Sequence, residues 1–267
     1  FMVNTLLLTT DVVMDHKEKK EMVRSYINPQ LCDISERLVY TEPYNDYRGA
    51  NHVFAPNKEF VEKELYGDKA LHLAVAKLKI KFMTNAQSLI HGDLHSGSIF
   101  VNEEETMVLD PEFACYGPMG YDIGNVIGNL FFAWANGDAT MEPGAEKDTY
   151  MAWLESAIRD TVDLFIAKFK KAFAENVTDY MAKSEGFLDW YLGTVLSDTA
   201  GVAGLEMNRR TVGSANVKDL TCIEDEAKRA RAERIVMLAA KDFIINRDKY
   251  LCGQDYLDTI HRVEKLA

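Results

Sequence analysis

The densest chemical signal lies in Leu89–Phe113, which reads LIHGDLHSGSIFVNEEETMVLDPEF. Two apolar runs, Ser98–Val101 and Thr106–Leu109, flank the polar turn Asn102–Glu105, the pattern of a β-hairpin. The entering segment, His91 to Gly97, is too polar and glycine-rich for the middle of a helix or strand and is expected as a loop. Asp93 and Asp110 stand 17 positions apart, but a hairpin folds that separation back, so both carboxylates can face one small volume. Pro111 biases Asp110 toward an extended backbone. In an extended Asp-x-Glu, alternation sends the side chains of Asp110 and Glu112 to the same side. One loop carboxylate opposite two strand-end carboxylates suits a general base beside a divalent cation. A single aspartate is ordinarily a solvated turn residue; here the combination with the hairpin and the second acid pair points to chemistry.

These residues need a frame. Upstream, Met2–Met14 reads as the tail of a buried helix and Lys17–Ser25 as a short charged one, while Leu31–Tyr47 has the Pro, Asp and Tyr mixture of an ordered loop. Lys58–Thr84 is amphipathic at helical spacing through Phe60, Leu65, Leu71, Val75, Leu78 and Phe82, with Gly67 as a break. Downstream, Cys115–Gly120 is a glycine-proline turn, and Asp122 precedes the helix Ile123–Trp134 in the N-cap position. Gly124 and Gly128, four apart, would let another backbone pack closely. Asn136–Glu146 is expected as an acidic surface loop. The helices Tyr150–Phe173, Phe187–Met207, Ile223–Asn246 and Tyr256–Leu266 complete the chain. The fold class is therefore α+β and mostly helical, with a small hairpin carrying the active-site loop.

Composition excludes several functions. At 267 residues the chain can bury a large core. Its formal charge of −12 opposes a nucleic-acid partner, which requires a basic surface. Cys32, Cys115, Cys222 and Cys252 are scattered without a C-x-x-C pair, so reduced thiols in a cytoplasmic protein are expected rather than a disulfide framework or zinc site. No apolar run reaches the roughly 18 residues of a membrane span.

HGDLHSGS, a hairpin and a later acid motif are together similar to the catalytic loop of kinase-like small-molecule phosphotransferases. That group includes aminoglycoside phosphotransferases, choline kinases and homoserine kinases, which typically show H-G-D-x-x-x-x-N and a later Asp. Here Ser98 replaces the Asn and the later motif is Asp110-Pro-Glu112. With Asn208–Gly213 (NRRTVG), these departures resemble the S-methyl-5-thioribose kinases, from about Val12 to the C-terminal helices. The resemblance implies the C-terminal lobe of a protein-kinase-like fold over residues 1–267, with catalytic loop and metal hairpin in 89–113 and a helical substrate-binding part in 122–267. No glycine-rich turn and no Val-Ala-Ile-Lys-like strand precedes His91. The expectation is thus that the nucleotide-covering N-terminal lobe is absent and that the chain alone is inactive.

The resemblance further implies ATP-dependent phosphorylation of the 1-hydroxyl of S-methyl-5-thioribose in methionine salvage, and assembly as a homodimer. Asp93 becomes the base, Asp110 and Glu112 the Mg²⁺ ligands, and Arg209 and Arg210 the grip on the sugar. Without it, adjacent arginines near a helix end are surface charge favouring the helix dipole. Ser98, with a shorter hydroxyl in place of an amide, is at best an indirect metal contact. His91 is expected to fix the loop by bonding backbone carbonyls, and His95 is left open. Asp122 either braces the catalytic loop, as in kinase-like lobes, or simply caps its helix. Two rivals stand: a phosphotransferase for an aminoglycoside, choline or homoserine, and a non-catalytic binding module. The arginine pair favours an uncharged polyol over a cationic substrate.

Overall fold

Aspartates set several helix starts by accepting the otherwise unpaired N–H groups of the first turn. Asp15 opens α2 (His16–Ser25), Asp68 opens α6 (Lys69–Thr84) and Asp225 opens α11 (Glu226–Ile245) in this way. The computed structural model describes residues 1–267. The remaining helices are α1 (Met2–Leu8), α3 (Pro29–Leu38), α4 (Glu42–Asn45), α5 (Lys58–Val61), α7 (Gly120–Thr140), α8 (Ala145–Asn176), α9 (Phe187–Val212), α10 (Lys218–Thr221) and α12 (Gly253–Val263). The four strands are three residues each: β1 (Ser88–Ile90), β2 (Ile99–Val101), β3 (Thr106–Val108) and β4 (Cys115–Gly117). The molecule is mostly helical with a minor β component, as composition and periodicity indicate.

The hairpin forms where the alternating runs place it, with β2 antiparallel to β3 and Phe100 opposite Met107. Asn102 closes the turn, its side-chain oxygen accepting from the N–H groups of Glu104 and Glu105. A break at Gly67 also appears, after a π-helical turn at Glu62–Tyr66.

Three expected segments differ. Leu31–Tyr47, read as a loop, holds most of α3 and all of α4. Asn28 in a left-handed conformation (φ 44°) turns the chain, and Pro29 at the first helical position is pre-shaped for helix, so the prolines here start helices. Cys115–Gly120, read as a turn, begins with β4, which pairs antiparallel with β1 through Ile90↔Cys115. Its partner lies far back in the chain, so no local pattern marks it. Asn136–Glu146, read as a loop, is helical except for residues 141–144. Gly137 makes room there for the Tyr150 ring, and Asp138 is held by Lys147 and Arg231.

One hydrophobic core runs from Val3 to Val263. At its centre α7 lies against α9 closer than side chains would allow. A Cβ on Gly124 would come within 2.7 Å of the Ala203 nitrogen and the Thr199 carbonyl, and one on Gly128 within 3.2 Å of Glu206 Cγ. The glycine spacing in α7 thus positions the last turns of α9 beside the loop that follows β1.

Candidate active site

The loop leaves β1 at Ile90 and is fastened from two sides. Asp122, only 1% exposed, accepts the main-chain N–H of His91 at 2.7 Å and of Gly92 at 3.0 Å. It is the third residue of α7, which starts at Gly120, so its role as an N-cap is not what the structure has: the carboxylate turns away from its own helix and onto the loop. Burial pushes its pKa up to about 6, against the pull of those two N–H groups. On the other side His91 Nε2 donates to the Leu109 carbonyl at 2.8 Å, while its Nδ1 accepts from the Asp93 N–H at 3.4 Å. A carbonyl partner fixes the proton on Nε2. Gly92 has φ 84°, and a Cβ there would lie 2.4 Å from the Phe113 carbonyl, so glycine is required by both conformation and space.

Asp93 is thereby presented at the end of α9. Its Oδ1 accepts from Arg209 Nη2 at 2.8 Å, and its Oδ2 lies 3.7 Å from His95 Nε2. His95 stands between Asp93 and Ser98, whose hydroxyl is 3.5 Å from the same nitrogen. Ser98 is buried, and its carbonyl accepts from Leu109 N, tying the loop to the hairpin's second strand.

Asp110 and Glu112 lie beside this loop, since Leu109 and Phe113 contact His91 and Gly92. Their expected extended geometry is not found. Asp110 is left-handed (φ 62°, ψ 54°), and Pro111–Phe113 forms a 3-10 turn closed by Ala114 N–H to the Pro111 carbonyl. Proline disfavours the right-handed helical region for its predecessor, and aspartate tolerates the left-handed region better than most residues. Asn28 stabilises the turn from outside, donating to the carbonyls of Glu112 and Ala114. Both carboxylates are exposed, and no third His, Cys, Asp or Glu joins them in a metal-sized cluster. Two free, hard oxygen donors fit Mg²⁺, which retains waters and takes phosphate oxygens, better than a closed protein cage.

Arg209 and Arg210 occupy the last turn of α9, inside a helix that extends past Met207 to Val212. Arg209 is 14% exposed at its side chain, so the surface-charge explanation does not apply to it. The residue missed in the sequence is Glu206. Its carboxylate, 1% exposed, receives Nε of Arg209 through one oxygen and Nε of Arg210 through the other, the latter at 3.2 Å. An acid three and four positions before two arginines is a helical pairing pattern and was a readable signal. Burial pushes the Glu206 pKa up, but the two guanidiniums outweigh it and hold the group below its usual range. For Arg209 burial works against the charge, and Glu206, Tyr121 and Asp93 together overturn that. Asp93, Glu206, Arg209 and Arg210 thus form a set with two charges of each sign, assembled from residues 116 positions apart.

A cavity of about 630 Å³ lies between α1 and α8 and touches none of these groups. No helix is long and apolar enough to cross a membrane.

Residues 24–155 match the family model described as the phosphotransferase enzyme family. The chain is 38% identical over 248 residues to a methylthioribose kinase of Geobacillus sp. (strain WCH70), covering 93% of this chain and 59% of that protein. It is 38% identical over 256 residues to the methylthioribose kinase of Geobacillus thermodenitrificans (strain NG80-2), covering 96% and 62%. With the methylthioribose kinase of Bacillus cereus (strain G9842) it shares 36% identity over 244 residues, covering 91% and 59%. The chain spans about three-fifths of the length of these relatives. Residues 24–155, the stretch similar to the phosphotransferase enzyme family, hold Asp93, Asp110, Glu112 and Asp122.

Proposed function

We propose that this chain forms the catalytic-loop and acceptor-binding part of an ATP-dependent small-molecule kinase that phosphorylates the 1-hydroxyl of S-methyl-5-thioribose. The observation that carries this reading is the 2.8 Å ion pair between Arg209 and Asp93. It joins the loop that resembles a kinase catalytic loop to the arginine pair that resembles the sugar grip of methylthioribose kinases. The names of the relatives point the same way.

In this reading Asp93 takes the proton of the acceptor hydroxyl as that oxygen attacks the terminal phosphorus of ATP and ADP leaves. Phosphoryl transfer depends chiefly on positioning and charge neutralisation, so one well-placed base suffices on the acceptor side. Asp110 and Glu112 would hold Mg²⁺, which neutralises charge on the phosphates when bound. Asp122 and His91 hold the loop; Ser98 acts behind it, through His95. The local charge set sums to zero, which suits a neutral polyol and gives a cationic aminoglycoside or choline no net attraction. A kinase-like C-terminal lobe and a homodimer belong to the same reading; sedimentation of the chain checks the dimer.

Calorimetric titration of the chain with methylthioribose tests the substrate. Binding is expected, and Arg209→Ala or Arg210→Ala should each weaken it about ten- to hundredfold, the worth of one or two charge-assisted hydrogen bonds. Lysine at either position should rescue only in part, because a point charge lacks the guanidinium's fork. Binding of choline or an aminoglycoside in place of the sugar overturns the substrate assignment.

A further inference from the structure

The buried Glu206 is the least explained member of the site. Its carboxylate makes no hydrogen bond to the catalytic loop, yet both of its oxygens are engaged by the arginines next in line. Arg209 uses Nε on Glu206 and Nη2 on Asp93, which leaves Nη1 without a protein partner. Arg210 uses Nε on Glu206, and neither of its terminal nitrogens bonds to protein. Two adjacent guanidiniums would separate by mutual repulsion if nothing negative lay between them. Gly128 on α7 leaves the space that the Glu206 methylene carbons Cβ and Cγ fill.

We propose that Glu206 is a positioning residue for acceptor binding: its carboxylate holds Arg209 against Asp93 and aims the free terminal nitrogens of Arg210 at the acceptor's hydroxyls. This rests on the function proposed above and assigns the sugar contact to a three-residue unit rather than to two independent arginines. The sugar then meets donors whose orientation is already fixed, so little side-chain freedom is lost on binding.

The test is a double-variant cycle on the full chain, read by calorimetry with methylthioribose and, separately, with Mg-ATP. Glu206→Gln retains shape and removes the charge; sugar affinity should fall about tenfold or more, with nucleotide affinity unchanged. Adding Glu206→Gln to Arg210→Ala should cost clearly less than the product of the two single losses, because both remove the same contact. A structural role alone predicts that the losses multiply, or that only the melting temperature moves. If Glu206→Gln does not fold, Glu206→Asp keeps the charge but withdraws the carboxylate by one methylene, and a severalfold loss of sugar affinity is expected. Wild-type sugar affinity in a folded Glu206 variant, or multiplying losses, overturns the proposal and leaves the function standing. Failure of the unaltered chain to bind the sugar overturns the function and this proposal with it.

Discussion

Asp93 divides its two oxygens between a guanidinium at 2.8 Å and an imidazole at 3.7 Å. An aspartate that served only to neutralise Arg209 would be replaceable by any group able to accept that hydrogen bond. A base is not. Asp93→Asn preserves size and one acceptor oxygen but cannot take a proton, so in steady-state assays of a longer protein that includes a nucleotide-covering lobe kcat should fall by roughly 10²–10⁴. Sugar affinity measured by calorimetry should change much less, since the amide oxygen still accepts from Arg209 Nη2. If kcat stays within a few-fold of the unaltered protein, Asp93 is a structural partner of Arg209 and the base lies elsewhere. Ser98 and His95 give a second reading at this scale. The Ser98 hydroxyl faces His95, which in turn faces Asp93, while the Ser98 carbonyl accepts from the Leu109 N–H next to Asp110.

Among the elements, the contact between α7 and the catalytic loop rests on one carboxylate. Asp122 is ionisable, buried and shifted up to about 6 from an ordinary value of 3.8. Between those values the folded protein retains a proton that the unfolded chain has released. Stability from this group is therefore full below about pH 4, declines as pH rises toward 6, and is level above that. The span corresponds to roughly 3 kcal/mol. Asp122→Asn has no such titration, and its amide can accept only one of the two N–H groups. Urea unfolding at pH 4, 5, 6 and 7.5 should show the stability difference between the two proteins shrinking from pH 4 to 6 and then flat. A pH-independent difference would mean that folding does not shift this carboxyl. How much of this was legible follows the range of the interactions. The hairpin, the polar loop and the acids are written in consecutive residues, and the alternating runs plus Asn102 suffice to read them. The β1–β4 pair and the turn after Asp110 depend on partners tens of residues away, so proximity in sequence pointed to a turn and an extended strand instead; for Asp122 spacing alone offered a cap, and the brace was the alternative that the family resemblance added. Glu206 was legible by its helical spacing but was hidden by an apparent helix end at Met207.

For the molecule as a whole, the line of contact between α7 and α9 determines whether the two halves of the site meet at all. Asp122 stands on α7 and bonds the loop, while Glu206, Arg209 and Arg210 stand on α9, where Arg209 bonds Asp93. Only Gly120, Gly124 and Gly128 allow the backbones to come this close. A methyl added at Gly124 would meet main-chain atoms of Ala203 and Thr199 at 2.7 Å, and main chain inside a helix cannot yield by a rotamer change. In an open helix, glycine to alanine stabilises by about 1 kcal/mol. Overpacking of a tight core costs about 1–3 kcal/mol, so at this position the clash should win. Gly193 on α9 supplies the control, because a Cβ there meets nothing within 4 Å. Gly193→Ala should raise the urea midpoint slightly, while Gly124→Ala should lower it. The second variant should also weaken methylthioribose binding, because pushing α9 outward draws Arg209 away from Asp93. Equal midpoints for the two alanine variants would show that α7 and α9 have slack between them, and that the site is held together by the Arg209–Asp93 pair rather than by the packing beneath it.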